Sequence, residues 1–320
     1  MRKVFVTGAT GFLGLNLIQE LLSQNYNVIG LDRNLKNYKE PDHERLQIIQ
    51  GDALNIHPSL FSSCDVVFHL IGETTPNLPY AEYDRINVQT ALNVVQAAIQ
   101  NKVKKFIFVS TANTIGYADD CSMGSEEKPI RYPYNQSGYP LSKLNAEKEL
   151  LKYADKIDIL IANPTFMIGA YDYKPTSNRI VKGALDKKIV FYPPGGKNFV
   201  DVNDVAKGLI SLIENGKNKE KYLFAGENLS FLEFYIKLSN QLGKKQKFVR
   251  IPEVVMKVLG WVGDFLLSIH IRTDLSTLNM RILSLDNFYS NDKSKKELKL
   301  NYRPIEDAIA KSISFFKNNG

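Results

Sequence analysis

The stretch Lys3-Val4-Phe5-Val6-Thr7-Gly8-Ala9-Thr10-Gly11-Phe12-Leu13-Gly14 decides how this chain is read. Val4 to Thr7 are β-branched or aromatic with no turn residue among them, which predicts a short buried strand. Gly8, Gly11 and Gly14 follow, and then Leu13, Leu17, Ile18, Leu21 and Leu22 recur at helical period. A strand, a glycine-rich turn and a helix in that order make a dinucleotide seat. Gly8 allows the tight turn and Gly11 lets the backbone approach a pyrophosphate. Gly14 lets helix and strand pack closely, and the helix N-terminus offers N–H groups to the phosphates. The spacing Gly-x-x-Gly-x-x-Gly is one residue longer at its start than the usual fingerprint.

Outward from that turn the chain alternates. Val28 to Asp32 predict a second strand ending on an acid, 18 residues beyond Gly14. A carboxylate there accepts adenosine ribose hydroxyls and repels a 2′-phosphate, favouring NAD, although Arg33 beside it leaves NADP possible. Further strands are predicted over 46–50, 66–70, 106–110 and 157–162, with a long helix over about 84–101. The alternation implies an α/β fold: a Rossmann-type, doubly wound parallel sheet with right-handed crossovers. Residues 1–164 then form the nucleotide domain. Residues 165–320 form a smaller, mainly helical substrate lobe, with about 200–226 returning to the first domain. Helices are expected over 201–215, 230–243, 252–269 and 274–285, with Asn291 as an N-cap for the Lys-rich helix that follows.

Tyr139-Pro140-Leu141-Ser142-Lys143 opens a helix after a polar loop. Residues at i and i+4 share one helix face, so Tyr139 and Lys143 point the same way. An ammonium beside a phenol pulls the phenol pKa down, which suits proton exchange near neutrality. Tyr289 and Lys293 repeat the spacing without the preceding strand and loop, and are read as a chance match.

Composition is that of an ordinary globular chain, 320 residues with 44% hydrophobic and 23% charged. The net charge of +7 is spread along it, which suits a phosphorylated cofactor and does not argue for nucleic acid. Two distant cysteines, Cys64 and Cys121, suggest a reducing compartment, and Met1-Arg2-Lys3 leads straight into the first strand. A cytoplasmic location is therefore expected. Lys257 and Asp264 interrupt the apolar stretch 254–271, so no membrane span is expected and the stretch is read as an amphipathic helix, core-facing in preference to membrane-lying. No metal site is read.

With these motifs in hand, the chain resembles the extended short-chain dehydrogenases/reductases of the NAD-dependent epimerase/dehydratase family. The resemblance rests on Thr7 to Gly14, Gly51-Asp52, His69-Leu70, Asn87-Val88, the end of the fifth strand and Tyr139 to Lys143. It continues through Asn163 to Gly169, Phe199 to Ala206, and Ser294 to Leu298 with Tyr302-Arg303-Pro304. It implies Tyr139 as general acid/base, Lys143 as its partner on the nicotinamide ribose, and Thr111 as the hydroxyl on the reacting oxygen, with Ser110 the fallback. It implies a cofactor seat of Gly8, Thr10, Gly11, Phe12, Leu13, Gly14, Asp32, Arg33, Asp52 and Ala53. Leu70, Ile71, Gly72, Asn87, Ser110, Tyr139, Lys143, Pro164 and Phe166 complete it. His69 is read as a packed strand residue.

Glu73, Thr74, Asn113, Asn163, Lys197 and Arg281 are the polar candidates for substrate contact. The substrate itself is a small molecule, a ketone/alcohol or a nucleotide sugar. Three activities compete. The first is a ketone/alcohol oxidoreductase similar to dihydroflavonol reductases and 3β-hydroxysteroid dehydrogenases. The second is a nucleotide-sugar epimerase with retained NAD, and the third a non-enzymatic dinucleotide sensor, against which the intact Thr111, Tyr139 and Lys143 speak. A 4,6-dehydratase is disfavoured, because Ala112-Asn113 stands where that subgroup has an acidic pair. The resemblance also implies a homodimer through 84–101 and 141–153.

Overall fold

The computed structural model describes residues 2–35, 38 and 42–319; Met1, the first residue of the expected lead-in, lies outside the described residues. Strand β1 (Lys3–Thr7) leads through the glycine turn into α1 (Phe12–Ser23). Then come β2 (Asn27–Asp32), β3 (Leu46–Gln50) and β4 (Val66–His69). A short α2 (Tyr80–Tyr83) passes through a wide π-turn, Asp84–Gln89, into α3 (Thr90–Gln100). The single helix expected over 84–101 is thus broken in its winding. Within it, the Thr90 hydroxyl donates to the Ile86 carbonyl at 2.5 Å. Strand β5 (Lys105–Val109), α4 (Gly138–Leu151) and β6 (Asp158–Pro164) complete the alternation.

The second half supplies β7 (Phe166–Ile168), α5 (Arg179–Lys182), β8 (Ile189–Tyr192), β9 (Gly196–Asp201) and α6 (Val202–Asn215). There follow β10 (Lys221–Phe224), β11 (Glu227–Ser230), α7 (Phe231–Leu242), β12 (Lys247–Arg250) and α8 (Glu253–Ser268). Last come α9 (Thr277–Leu283), β13 (Asp286–Asn287), α10 (Asp292–Leu298) and α11 (Ile305–Asn319).

Seven parallel strands form the main sheet in the order β10-β6-β5-β4-β1-β2-β3. The strand order reverses between β1 and β4, and a crevice at such a switch point is where α/β sheets take ligands. Near-continuous apolar strands require both faces to be covered. One face packs on Leu17 and Leu21 of α1 with Val205 and Leu209 of α6, the other on Val94 and Ala98 of α3 with Ala146 and Leu150 of α4. A smaller four-stranded sheet centred on β9 and a two-stranded pair, β8 and β12, belong to the C-terminal region, with their own core around Phe199 and Phe234.

Asn291 holds the N-cap position of α10, as expected, although its side chain makes no capping bond: its amide donates to the Ala225 carbonyl at 2.7 Å, and the Asn291 carbonyl accepts from the Lys295 amide at 3.0 Å. The core-facing reading of 254–271 is overturned. Only Met256, Gly260 and Gly263 of α8 are buried, while Val254, Trp261 and Phe265 are 70%, 67% and 64% exposed. Apolar period reports a stripe and says nothing of what covers it.

The glycine turn is set by space. A Cβ on Gly14 would lie 2.2 Å from the Gly8 carbonyl oxygen and 2.8 Å from that of Ala9. Gly8 itself adopts φ +69°. Gly14→Ala is expected to lower stability by about 2 kcal/mol, within the usual cost of overpacking. Urea unfolding checks this, and an unchanged midpoint would show that the turn is not held by that approach.

Candidate active site

The first part of the site is the start of α1. Gly11 occupies its N-cap, no side chain caps it, and its first turn carries no acid. Its leading N–H groups therefore suit an anion. Asp32, at the end of the neighbouring β2, accepts from the Thr10 and Asn34 amides at 3.2 Å each. A carboxylate has about four acceptor positions, so Asp32 retains capacity for ribose hydroxyls. Arg33 is exposed beside it. Asp52 caps the turn that begins at Ala53, accepting from the Leu54 amide at 2.9 Å, and Ala53 is buried.

The second part lies across the switch point. Lys143 on α4 donates to the carbonyls of Val109 (2.9 Å) and Ile71 (3.1 Å), so one ammonium joins the ends of β5 and β4. It also lies over the Phe108 ring, 4.6 Å from its centre. Gly72 leaves it room, since a Cβ there would be 3.1 Å from Lys143 Nζ. Asn87 pins the loop after β4, accepting from the Glu73 amide at 2.7 Å and donating to the Ser142 hydroxyl at 2.8 Å. Burial pulls the Lys143 ammonium down to about 7, with the nearby Glu147 carboxylate opposing that shift.

Sequence reasoning missed Glu147, whose signal was its position one helical turn beyond Lys143. Its side chain is fully buried and ion-pairs with Lys221. It also accepts from the Ser110 hydroxyl, the Thr114 hydroxyl (2.8 Å) and the Asn163 amide (3.1 Å). The two hydroxyl candidates therefore sit differently. Ser110 is turned into the protein, whereas Thr111 lines a cleft of about 460 Å³ with Tyr139. Burial pushes the Tyr139 phenol up to about 12, with the neighbouring Thr111 hydroxyl opposing that shift. The expected depression is therefore absent here: the Lys143 charge is spent on two carbonyls, and burial dominates.

The cleft also takes in Thr74, Asn113, Pro164, Phe166 and Lys197 from the predicted set. Glu73 and Asn163 do not line it. Glu73 accepts from the Thr75 amide at 2.8 Å, and the Asn163 amide donates to the Thr111 carbonyl at 3.0 Å. Arg281, in the last turn of α9, is also outside it. Unforeseen at the wall are Tyr134, Asn198, Asn287 and Tyr289. Of the chance-matched pair, Lys293 is bound to Glu220 at 2.6 Å, while the buried Tyr289 hydroxyl has no hydrogen-bond partner among the described residues. His69 is packed, as read: it stacks on Phe106 and Phe108, bonds the Thr7 hydroxyl at 3.0 Å, and is held well below the usual histidine pKa by burial.

A family model described as "NAD dependent epimerase/dehydratase family" matches residues 4–225. The chain belongs to that family. It is an extended short-chain dehydrogenase/reductase, a reductase or an epimerase working with NAD(P). Over 326 residues it is 27% identical to a putative dihydroflavonol 4-reductase of Synechocystis, covering 99% of this chain and 95% of that one. It is 26% identical to the decarboxylating sterol-4-alpha-carboxylate 3-dehydrogenase of Dictyostelium discoideum, over 94% of this chain and 96% of that one. Among solved structures, gox2253 superposes with a TM-score of 0.86 at 26% identity, covering 100% and 99%. The UDP-glucuronic acid 4-epimerase of Bacillus cereus, solved with UDP-glucuronic acid and NAD, has the same fold (TM-score 0.78, 22% identity, 99% and 100% covered).

The depressed Lys143 pKa has a consequence for stability. Between about 7 and the ordinary 10.5, the unfolded chain holds a proton that the folded chain has released. Lys143 therefore makes stability rise with pH across that window, and its burial costs most below it. The melting temperature of Lys143→Met minus that of the parent is expected to be most positive at pH 6 and to fall by pH 10. Thermal melts of cofactor-free protein check this, and a difference that rises with pH would contradict the buried ammonium.

Proposed function

We propose that the protein is a reductase that delivers hydride from NADH to a ketone and releases the oxidised cofactor. The observation that carries this reading is the Tyr139 phenol standing with Thr111 at the wall of the cleft, where burial raises its pKa and favours the protonated form. A protonated donor at that place suits carbonyl reduction, whereas alcohol oxidation first requires the phenolate. Similarity to a putative dihydroflavonol 4-reductase supports the same direction.

The residues present fit NAD. The uncapped start of α1, the side-chain-free approach at Gly8, Gly11 and Gly14, and the Asp32 carboxylate are what a dinucleotide requires. NAD in its reduced form supplies the hydride. In this reading Thr10, Phe12 and Leu13 flank the pyrophosphate, Asp32 takes the adenosine ribose, and Asp52 and Ala53 lie toward adenine. Asp32 favours NAD over NADP. Leu70, Ile71, Gly72, Asn87, Ser110, Pro164 and Phe166 border the nicotinamide end, where Lys143 holds the ribose. Thr111 orients the substrate oxygen and Tyr139 gives it a proton. The family resemblance further supports a homodimer through α3 and α4.

One observation favours a nucleotide-sugar epimerase instead. Lys197 lies at the cleft, 5.2 Å from the centre of the Phe166 ring, with no ion pair among the described residues, and burial lowers its pKa to about 8. Such a cation suits an anionic substrate.

The two readings separate on purification. A released-cofactor reductase is expected to emerge without nucleotide absorbance or added mass, an epimerase with NAD retained. Tyr139→Phe is expected to keep cofactor affinity and to lose turnover by at least about a hundredfold, the usual worth of a positioned general acid. NADH oxidation over a screen of ketones, alcohols and nucleotide sugars checks it. Turnover at the parent rate would remove Tyr139 from the chemistry.

A further inference from the structure

Helix α8 is apolar on two opposite sides. Its inner side packs through Met256, Gly260 and Gly263 onto the segment that follows. A Cβ on Gly263 would meet the Leu275 carbonyl carbon at 2.4 Å, and one on Gly260 would meet Thr277 Cα at 2.9 Å. Val254, Val255, Val258, Trp261, Val262, Phe265 and Ile269 are all exposed. At 3.6 residues per turn these seven fall within an arc of roughly 120° facing away from the packed side. Scattered exposed apolar residues are ordinary, but a continuous stripe of this size marks a binding face.

Charge indicates what meets that face. The segment 244–272 carries Lys244, Lys245, Lys247, Arg250, Lys257 and Arg272 against Glu253 and Asp264. Asp264 is occupied by the Thr277 amide (3.0 Å) and hydroxyl (2.5 Å). Among the described residues, only Lys244 of the six cations has an acidic partner, Asp186. A two-fold contact between copies through α8 would bring two such basic tracts together, which like-charge repulsion opposes. Among the described residues no helix is long and apolar enough to cross a membrane. A short helix with an apolar outer stripe, a tryptophan and flanking lysines has the character of an element that lies in a lipid interface.

We propose that α8 docks this protein on an anionic lipid surface. The placement has a functional sense. Just beyond α8, the Thr273 carbonyl accepts from the Asn77 amide at 2.8 Å, and Asp274 lines the cleft. Docking would therefore bring the cleft mouth to the bilayer, where a lipid-dissolved ketone enters. That last consequence rests on the reductase reading; the docking does not.

Trp261 is the only tryptophan of the chain, so its emission reports the face directly. Full-length protein is titrated with phosphatidylcholine vesicles, with and without phosphatidylglycerol, and bound protein is measured by co-sedimentation. The expected result is a blue shift and sedimentation with the phosphatidylglycerol vesicles, weakened by salt. Val258→Asp/Phe265→Asp is expected to reduce partitioning at least about tenfold, with cofactor affinity unchanged. Emission that stays solvent-like at every lipid concentration would overturn the proposal, as would equal binding to phosphatidylcholine alone. A blue shift that grows with protein concentration in the absence of lipid would assign the face to a second copy and also overturn it. If the double variant does not fold, the parent titration decides by itself. Failure of docking leaves the Tyr139 test untouched, so the two ideas fall separately.

Discussion

One buried ammonium holds the chemistry of this site in place. Lys143 reaches from α4 to carbonyls at the ends of two adjacent strands, beyond β4 at Ile71 and in β5 at Val109. Burying a charge is costly unless hydrogen bonds replace its water, and these carbonyls supply two. One turn further along the same helix, Glu147 gathers Ser110, Thr114, Asn163 and Lys221. Both strand ends and the loop that carries Thr111 are thus fastened to α4. Tyr139, in the first turn of that helix, is left at the cleft wall.

The same constraint relates the two ends of the proposed cofactor seat. Thr7 of β1 pairs with His69 of β4, and β1 and β4 flank the reversal in strand order. The glycine turn leaves from β1 on one side of that point, and the Lys143 anchorage closes the other. His69 serves this frame: its ring is wedged between Phe106 and Phe108, and its nitrogens bond the Thr7 and Thr90 hydroxyls. A ring so enclosed and so far below its usual pKa stays neutral, and its role is packing.

Much of this was legible in the sequence, for identifiable reasons. Thr7 to Gly14 combines strand composition, glycines and helical period in a few residues, so the local signals agree. The i,i+4 placement of Tyr139 and Lys143 follows from helix geometry alone. What escaped depends on residues distant in the chain. Thr111 is preferred to Ser110 by resemblance alone, and the contact that separates their side chains, Ser110 on Glu147, lies 37 residues along the chain. The phenol pKa depends on which groups the Lys143 charge meets. Tyr289 comes to the cleft wall from more than a hundred residues beyond Tyr139, with no local mark. The stripe on α8 has the same period whether a core or solvent faces it, and only the packing of Gly260 and Gly263 against the next segment distinguishes the two. Arg281 shows the converse: its charge drew attention, but α9 carries it outside the cleft lining.

The central claim is that the turn after β1 seats a nicotinamide dinucleotide whose adenosine ribose is read by Asp32. Paired fluorescence titrations of NADH and NADPH, on the parent and on Asp32→Ala, test it most directly. The account predicts tighter NADH binding by the parent and a narrowed or reversed preference in the variant, with Arg33 free to meet the 2′-phosphate. Equal affinities in the parent, or a preference unmoved by Asp32→Ala, would contradict it.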